Sequence, residues 1–466
     1  MVSSIIFIVV LLLAGGLFTK KVLKLRRNIL LGKDLDRSGN RMERLKMMMR
    51  VALGQSKMVK RPVAGILHVI VYVGFIIINI EVLEIVIDGI IGSHRIMSGL
   101  GGFYTFLIAS FEILALLTWV ACVIFLIRRN VIRIKRFWGK EMTAWPRSDA
   151  NIILITEIAL MTAFLFMNAS DQLLMQKGVQ IFNDAGEIIM SYAGHEISQN
   201  AFPVSSLIAN LMGNVGEGSN VVEAVSNGYI YMLIERGSWW FHIIVIFAFL
   251  NYLPYSKHFH IILAFPNTYY SNLEPQGRFT NMESVTNEVK LMLDPTADPY
   301  ATPAPDANAP PPSRFGAKDV TDLTWKQLMD AYTCTECGRC SDVCPANGTG
   351  KLLSPRKIMM DVRDRLEEVG QNIDKHGKDH DDGKSLLHDY IMPEEIWACT
   401  SCNACTEACP VNNDPLSVIV DLRRYVVMEE SGANPELNTM FTNIENNQAP
   451  WQFSPADRFN WASEDS

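Results

Sequence analysis

Eight of the nine cysteines fall in two blocks of identical spacing, so any fold open to this chain must bring those blocks together. Cys334, Cys337, Cys340 and Cys344 precede Pro345, and Cys399, Cys402, Cys405 and Cys409 precede Pro410. Each block reads C-x2-C-x2-C-x3-C-P. Three thiolates at this spacing wrap one [4Fe-4S] cube within a tight loop, whereas the fourth, at a section turned by proline, points toward the cube of the other block. The expected ligands are therefore Cys334, Cys337, Cys340 and Cys409 for cluster one, and Cys399, Cys402, Cys405 and Cys344 for cluster two. Zinc sites pair two separated C-x2-C couples and leave the repeated fourth cysteine unexplained. A disulfide framework needs an oxidising compartment, and the membrane topology below places these thiols on the reducing side.

The rest of the chain must explain where the apolar residues go. The sequence is 49% hydrophobic and 20% charged although its C-terminal third is polar. Residues 3–19 form an uncharged apolar run long enough to cross a bilayer, with no positive n-region or small-residue cleavage site, and read as a retained first helix. Further spans are expected at about 62–87, 102–127, 148–170 and 237–263. Pro62 suits the first turn of the second span, and Ser148-Asp149 suits the N-cap of the fourth. Between Lys20 and Arg61 stand fourteen Lys or Arg against three acids, and 128–147 is a second basic loop. The loop from 171 to 236 carries two basic and seven acidic residues. The positive-inside rule then puts the N-terminus outside and everything after residue 263 in the cytoplasm. The net charge of -7 averages over segregated stretches. The basic residues flank apolar runs without interleaved aromatic platforms, which argues against nucleic acid as a partner.

The expected architecture is mainly α, a five-helix transmembrane bundle followed by a cytoplasmic α-helical ferredoxin (dicluster) domain. The division is 1–265 for the membrane domain, 266–315 for a linker whose prolines gather at 295–312, 316–430 for the two-cluster domain and 431–466 for a polar tail. Between the cysteine blocks, Ser354-Pro355 opens a helix with Ile358, Val362 and Leu366 on one face, expected to stop at Gly370. The polar run 371–385 reads as a solvated loop, and its His376 and His380 carry little weight as a metal pair.

Ionisable residues inside spans are functional candidates. His242 and His260, eighteen residues apart on one continuous helix, would share a face about 27 Å apart, with His258 turned roughly 160° away toward the headgroups. His68 stands at the depth of His260. Two neutral imidazoles at matching depth suit axial ligation of a b-type haem. Glu81, Glu84, Glu112 and Glu157 are candidates for proton transfer to or from a quinone, or for pairing across helices.

AGILHVIVYVGF around His68 and WWFHIIVIFAFLNYLPYSKHFHIIL around His242 and His260 resemble the haem-binding helices of the respiratory nitrate reductase gamma-subunit family. FGAKDVTDLTWKQLMDAYTCTECGRCSDVCPANGTGKLLSP resembles the dicluster domain of heterodisulfide-reductase-like iron-sulfur proteins. The resemblance implies His68 and His260 as ligands of an inner haem and His242 as one ligand of an outer haem. The expected second ligand of that outer haem falls on Ile78, which leaves His94 or His195 in the outside loops. It further implies a quinone-linked oxidoreductase of the inner membrane, in which two [4Fe-4S] clusters and haem b exchange electrons with a cysteine-rich heterodisulfide-reductase-like catalytic subunit on a separate chain. A membrane redox sensor lacks a visible output domain, and a transporter lacks internal repeats.

Overall fold

The computed structural model describes residues 2–177, 180–182, 188–191, 199–214, 221–296 and 314–463. Five of its helical segments are long and apolar enough to cross a membrane: Val2–Ile29, Pro62–Ile91, Gly102–Val131, Trp145–Gln176 and Tyr229–Tyr255. They belong to helices α1 (Val2–Ile29), α3 (Pro62–Ile91), α4 (Gly102–Leu126), α5 (Trp145–Gln176) and α7 (Val221–Tyr252), with α2 (Arg41–Met48) and α6 (Ser205–Asn214) in the connections. α1 packs on α3 and α7, α3 on α4, α4 on α5, and α5 on α7, which closes the bundle into a ring. Its core holds Phe7, Ile78, Ile108, Phe111, Phe164, Trp239 and Phe247. Phe7 lies so close to Gly89 that a Cβ there would overlap its ring, so α1 and α3 approach through a glycine. A two-stranded antiparallel ribbon, β1 (Gln180–Phe182) and β2 (Ile188–Ser191), follows α5.

Two boundaries differ from expectation for identifiable reasons. α5 begins at Trp145 with Pro146 in its first turn, upstream of the expected cap. Asp149 instead accepts hydrogen bonds from Tyr252 Oη at 2.5 Å, Ser256 Oγ at 2.6 Å and Lys257 N at 3.2 Å. The last span does not run to 263. It ends at Tyr252, where Leu253, Pro254 and Tyr255 tighten into a 3-10 turn and Ser256 becomes extended. Ser256 accepts from His258 N, and α8 (His260–Tyr269) starts afresh. Proline supplies no N–H to continue the α-ladder, and serine caps the 3-10 turn Lys257–Phe259 that leads into α8.

The remaining helices build the polar half: α9 (Glu283–Leu293), α10 (Trp325–Thr333), α11 (Arg339–Asp342), α12 (Pro345–Gly348), α13 (Pro355–His376), α14 (Pro393–Trp397), α15 (Ala404–Ala408), α16 (Pro415–Met428) and α17 (Pro435–Asn447). Thr324 and Gln327 form a capping box on α10. Ser354 caps α13, whose Ile358, Val362 and Leu366 are fully buried. α13 runs past Gly370 to a stop at Gly377, φ +93°. Gly370 serves another purpose, because a Cβ there would strike Asn28 of α1.

That contact shows how the two halves join. α1 extends beyond the bundle, where Leu25 enters the core of Val320, Leu328, Ile358 and Ile419. Asn28 Nδ2 donates to Tyr332 Oη at 3.1 Å and Arg27 Nη2 to the Gly370 carbonyl at 2.9 Å. Lys33 then pairs backbone to backbone with Leu323 and Trp325. The stretch expected as linker starts packed: Asn267 of α8 donates to the Val411 carbonyl and to Asn413 Oδ1, both at 2.9 Å. It also contains α9, in the proline-free stretch between Pro275 and Pro295. Most of the proline run lies outside the described residues. The tail expected as merely polar contains α17, with Phe441 and Ile444 exposed.

Candidate functional site

The two cysteine loops adopt one backbone design. Positive φ falls at Glu336 (52°) and Gly338 (70°) in the first, and at the matching positions Ser401 (56°) and Asn403 (61°) in the second. Gly338 and Asn403 then each stand at the N-cap of a short helix, α11 and α15, and Cys344 and Cys409 close the loops with nearly equal angles, φ -74° and ψ 120° against φ -71° and ψ 123°. Left-handed residues between the cysteines turn successive thiols to one side, which a helical or extended stretch would not do.

One cavity is lined by Cys334, Cys337, Cys340 and, from the other block, Cys409, together with Glu336, Gly338, Arg356 and Asn413. The structure thus gathers the four thiols expected for cluster one. Around the second loop, Cys344 and Cys402 both act on the Cys399 thiol, and Cys399 on Cys405. Among the described residues no three His, Cys, Asp or Glu side chains converge closely enough to hold a single ion. Four thiols lining one cavity match the four cysteine ligands that a [4Fe-4S] cube takes. Burial pushes the Cys334 thiol up to about 11 and the Cys405 and Cys409 thiols up to about 12. Metal binding at these thiols must therefore displace protons. Asn413 N donates to Cys409 Sγ at 3.2 Å and Ser401 N to Cys399 Sγ at 3.4 Å.

The surroundings of the loops differ. The first is pressed against the bundle. Lys257 pairs with Glu336, which Arg363 also holds at 2.7 Å. Arg339 donates to the Lys57 and Met58 carbonyls at 2.9 and 3.1 Å, and Arg61 pairs with Asp342 at 2.6 Å. Cys409 packs on Ala264, one turn beyond His260 in α8. The second loop exposes Cys402. Both basic loops, 20–61 and 128–147, stand at the bundle end that carries the cysteine loops.

At that same end the rings of His68 and His260 lie 6.4 Å apart at 39°. A metal held by both would sit about 2 Å from each nitrogen, which with the ring radius puts the centroids about 6 Å apart. His260 Nδ1 donates to the Lys257 carbonyl at 2.9 Å, leaving Nε2 for a ligand, while His68 Nδ1 is buried without a partner. Burial moves the His260 pKa down, which favours the neutral, ligating form. His258 is a correction. Its ring is 5.6 Å from His260 and 5.5 Å from Phe249, so it joins the imidazole group and does not face away. The opposite-face expectation, like the shared face of His242 and His260, assumed one unbroken helix. The LPYS sequence was the available signal.

His242 is buried elsewhere, with Nδ1 donating to the Leu160 carbonyl at 3.2 Å beside Phe164. His94 pairs with Asp171 at 3.1 Å, eleven residues further along α5, or about 16 Å of helix. The structure does not bring His94 to His242, and His195 lies outside the described residues. Glu84 accepts from Met97 N and Tyr104 Oη, and Glu112 from Asn168 Nδ2, Val204 N and Ser205 N, so both bind helix ends together. Glu81 keeps a buried oxygen, Oε2, without a partner.

Residues 333–413 match the 4Fe-4S dicluster domain. The whole chain is 28% identical to the probable iron-sulfur-binding oxidoreductase FadF of Bacillus subtilis, over 99% of this chain and 61% of that protein. It is 26% identical to the EtfAB:quinone oxidoreductase of Syntrophomonas wolfei, over 89% of this chain and 53% of that protein. A shorter match, 31% identical over 24% of this chain and 56% of its counterpart, is to one of the subunits of the ferredoxin/F(420)H(2)-dependent CoB-CoM heterodisulfide reductase of Methanosarcina acetivorans. The chain thus spans little more than half the length of the first two relatives, and both are named oxidoreductases. No solved structure matches.

Proposed function

We propose that the chain is a membrane-bound electron-transfer oxidoreductase linking a membrane quinone to a cytoplasmic redox partner through one haem b and two [4Fe-4S] clusters. The observation that carries this reading is the His68 and His260 pair, spaced for a shared metal and one helical turn from the Ala264 and Cys409 contact. Haem iron and the cubes supply single-electron exchange when bound. The protein's part would be to hold them in series: His68 and His260 would hold the haem, with the Lys257 carbonyl fixing the His260 tautomer, then Cys334, Cys337, Cys340 and Cys409 would hold cluster one, and Cys399, Cys402, Cys405 and Cys344 cluster two at the exposed end. The named activity of the Syntrophomonas relative supports a quinone, and the heterodisulfide reductase likeness supports a partner module of that kind. The basic loops beside the dicluster domain support its cytoplasmic placement. His242, buried against the Leu160 carbonyl and Phe164, stands apart from this series.

Pyridine haemochrome counts on purified single variants test the haem assignment. His68→Ala and His260→Ala should each lose it, whereas His258→Ala and His242→Ala should retain it. Full haem in the first two would overturn the reading. When wild type reduced with dithionite is mixed with a quinone analogue, haem and clusters should reoxidise together, and clusters that stay reduced beside oxidised haem would refute the series.

A further inference from the structure

Among the described residues Arg356 is the largest fully buried side chain, 2% exposed, and it lines the cavity of cluster one. Among the described residues no other arginine or lysine lines that cavity. Its counterion comes from the membrane half. Glu141, in the loop between α4 and α5, receives Arg356 Nη2 at 2.7 Å and Nε at 3.1 Å on one oxygen, Oε1, which also accepts from Ser354 Oγ at 2.7 Å. Nη1 donates to the Arg136 carbonyl at 2.5 Å in the same loop, and Arg356 N donates to Ser341 Oγ at 3.2 Å. Gly338, between two cysteines of the loop, leaves room for the guanidinium: a Cβ there would stand 2.5 Å from Nη1. A buried arginine is costly without full hydrogen bonding, and this one is placed where charge changes whenever the cluster changes oxidation state.

We infer that the Arg356 and Glu141 pair sets the midpoint potential of cluster one, with the guanidinium favouring its reduced, more negative state and Glu141 partly cancelling that effect. Burial raises the Glu141 pKa, but Arg356 and Ser354 outweigh it and hold the carboxyl below its usual range, so Glu141 is an anion at neutral pH. Removing either charge thus has a defined and opposite sign. Charge near a cluster and hydrogen bonding around it are established levers on its potential. Because Glu141 stands on a bundle loop, the membrane half contributes directly to the electrostatics of the nearer cluster.

The inference rests on the two-cluster reading, and the experiment separates their failures. Full-length protein with anaerobically loaded clusters is titrated with redox mediators and followed by EPR, with iron and sulfide counted on each sample. In Arg356→Gln the reduced-to-oxidised ratio of one cluster at fixed potential should fall tenfold or more, about 59 mV for one electron. In Glu141→Gln that same cluster should shift in the opposite direction, Arg356→Lys should stay near wild type, and the other cluster should not move in any of them. A merely structural role would lose iron or shift both variants alike. Should Arg356→Gln fail to load, Glu141→Gln and Arg356→Lys still decide. Shifts of one sign, or an unmoved Glu141→Gln, overturn the inference, whereas absence of clusters from the wild type sinks the functional reading beneath it.

Discussion

The two cysteine loops share a backbone and differ in almost everything that touches it. The first is enclosed by the bundle through Lys257 with Glu336, Arg339 with the 57–58 carbonyls, and Arg356 with Glu141. The second exposes Cys402 and is held by Arg423, which donates to the Ile396 and Cys399 carbonyls of its own domain; it meets the bundle-side loop only past Cys405, where Lys60 pairs with Glu407 and Lys57 donates to the Thr406 carbonyl. One backbone design used twice thus gives a first loop enclosed against the bundle and a second with a cysteine exposed. The repeated motif fixes the local chemistry, and the flanking contacts assign direction.

The largest effect should come from breaking the crossover. Cys409→Ser belongs by sequence to the second block but lines the cavity of the first. Iron should fall from about eight to about four per chain, with the signal that responds to Arg356→Gln missing. Cys344→Ser should give the same count with the other signal missing. If each substitution abolished the cluster of its own block, the shared cavity would be wrong.

The gathering of Cys409 with the thiols of the first block was legible in the spacing, as were the five apolar spans and the cap at Ser354, whereas the capping box at Thr324 was not read from the sequence. The imidazole group was half legible. His68 and His260 were recognisable by depth, yet His258 was misplaced because periodicity assumes that a helix continues, and Pro254 with Ser256 ends it. Gly370 was read as a stop when it marks the approach of Asn28, a tertiary contact 342 positions away in sequence and invisible to local pattern. The embrace of the first loop was illegible for the same reason. Glu141, Lys257 and Arg356 look like ordinary surface charges until three distant segments converge.

A smaller effect should follow from breaking that embrace at Glu336. Its side chain is 2% exposed between Lys257 and Arg363. Burial raises its pKa, yet the two cations outweigh burial and hold the carboxyl below its usual range. A depressed folded value means that the stabilisation is complete above the unfolded value of about 4.3 and is lost as pH falls through the folded one. Glu336→Gln should cost about 3 kcal/mol at neutral pH, since it leaves buried cations with an uncharged partner. Apparent melting temperatures of solubilised wild type and variant should differ most at pH 7 and converge as pH falls through the depressed folded value. A gap that persists in acid would show that the carboxylate charge is not what joins the halves.

The smallest effect sharpens the comparison within the loops themselves. Gly338 and Asn403 occupy equivalent left-handed positions, φ 70° and 61°, so the backbone demand is the same and asparagine tolerates it nearly as well as glycine. Only the first position has Arg356 against it. Asn403→Gly should leave both potentials unchanged and stability within about 0.5 kcal/mol. Gly338→Asn should push the guanidinium aside and move the potential of cluster one in the direction of Arg356→Gln, by less, because the charge is displaced and not removed. Redox titration of the pair decides it: equal responses at the two positions would mean that local backbone, shared by both loops, governs these sites, and that the surroundings do not distinguish them.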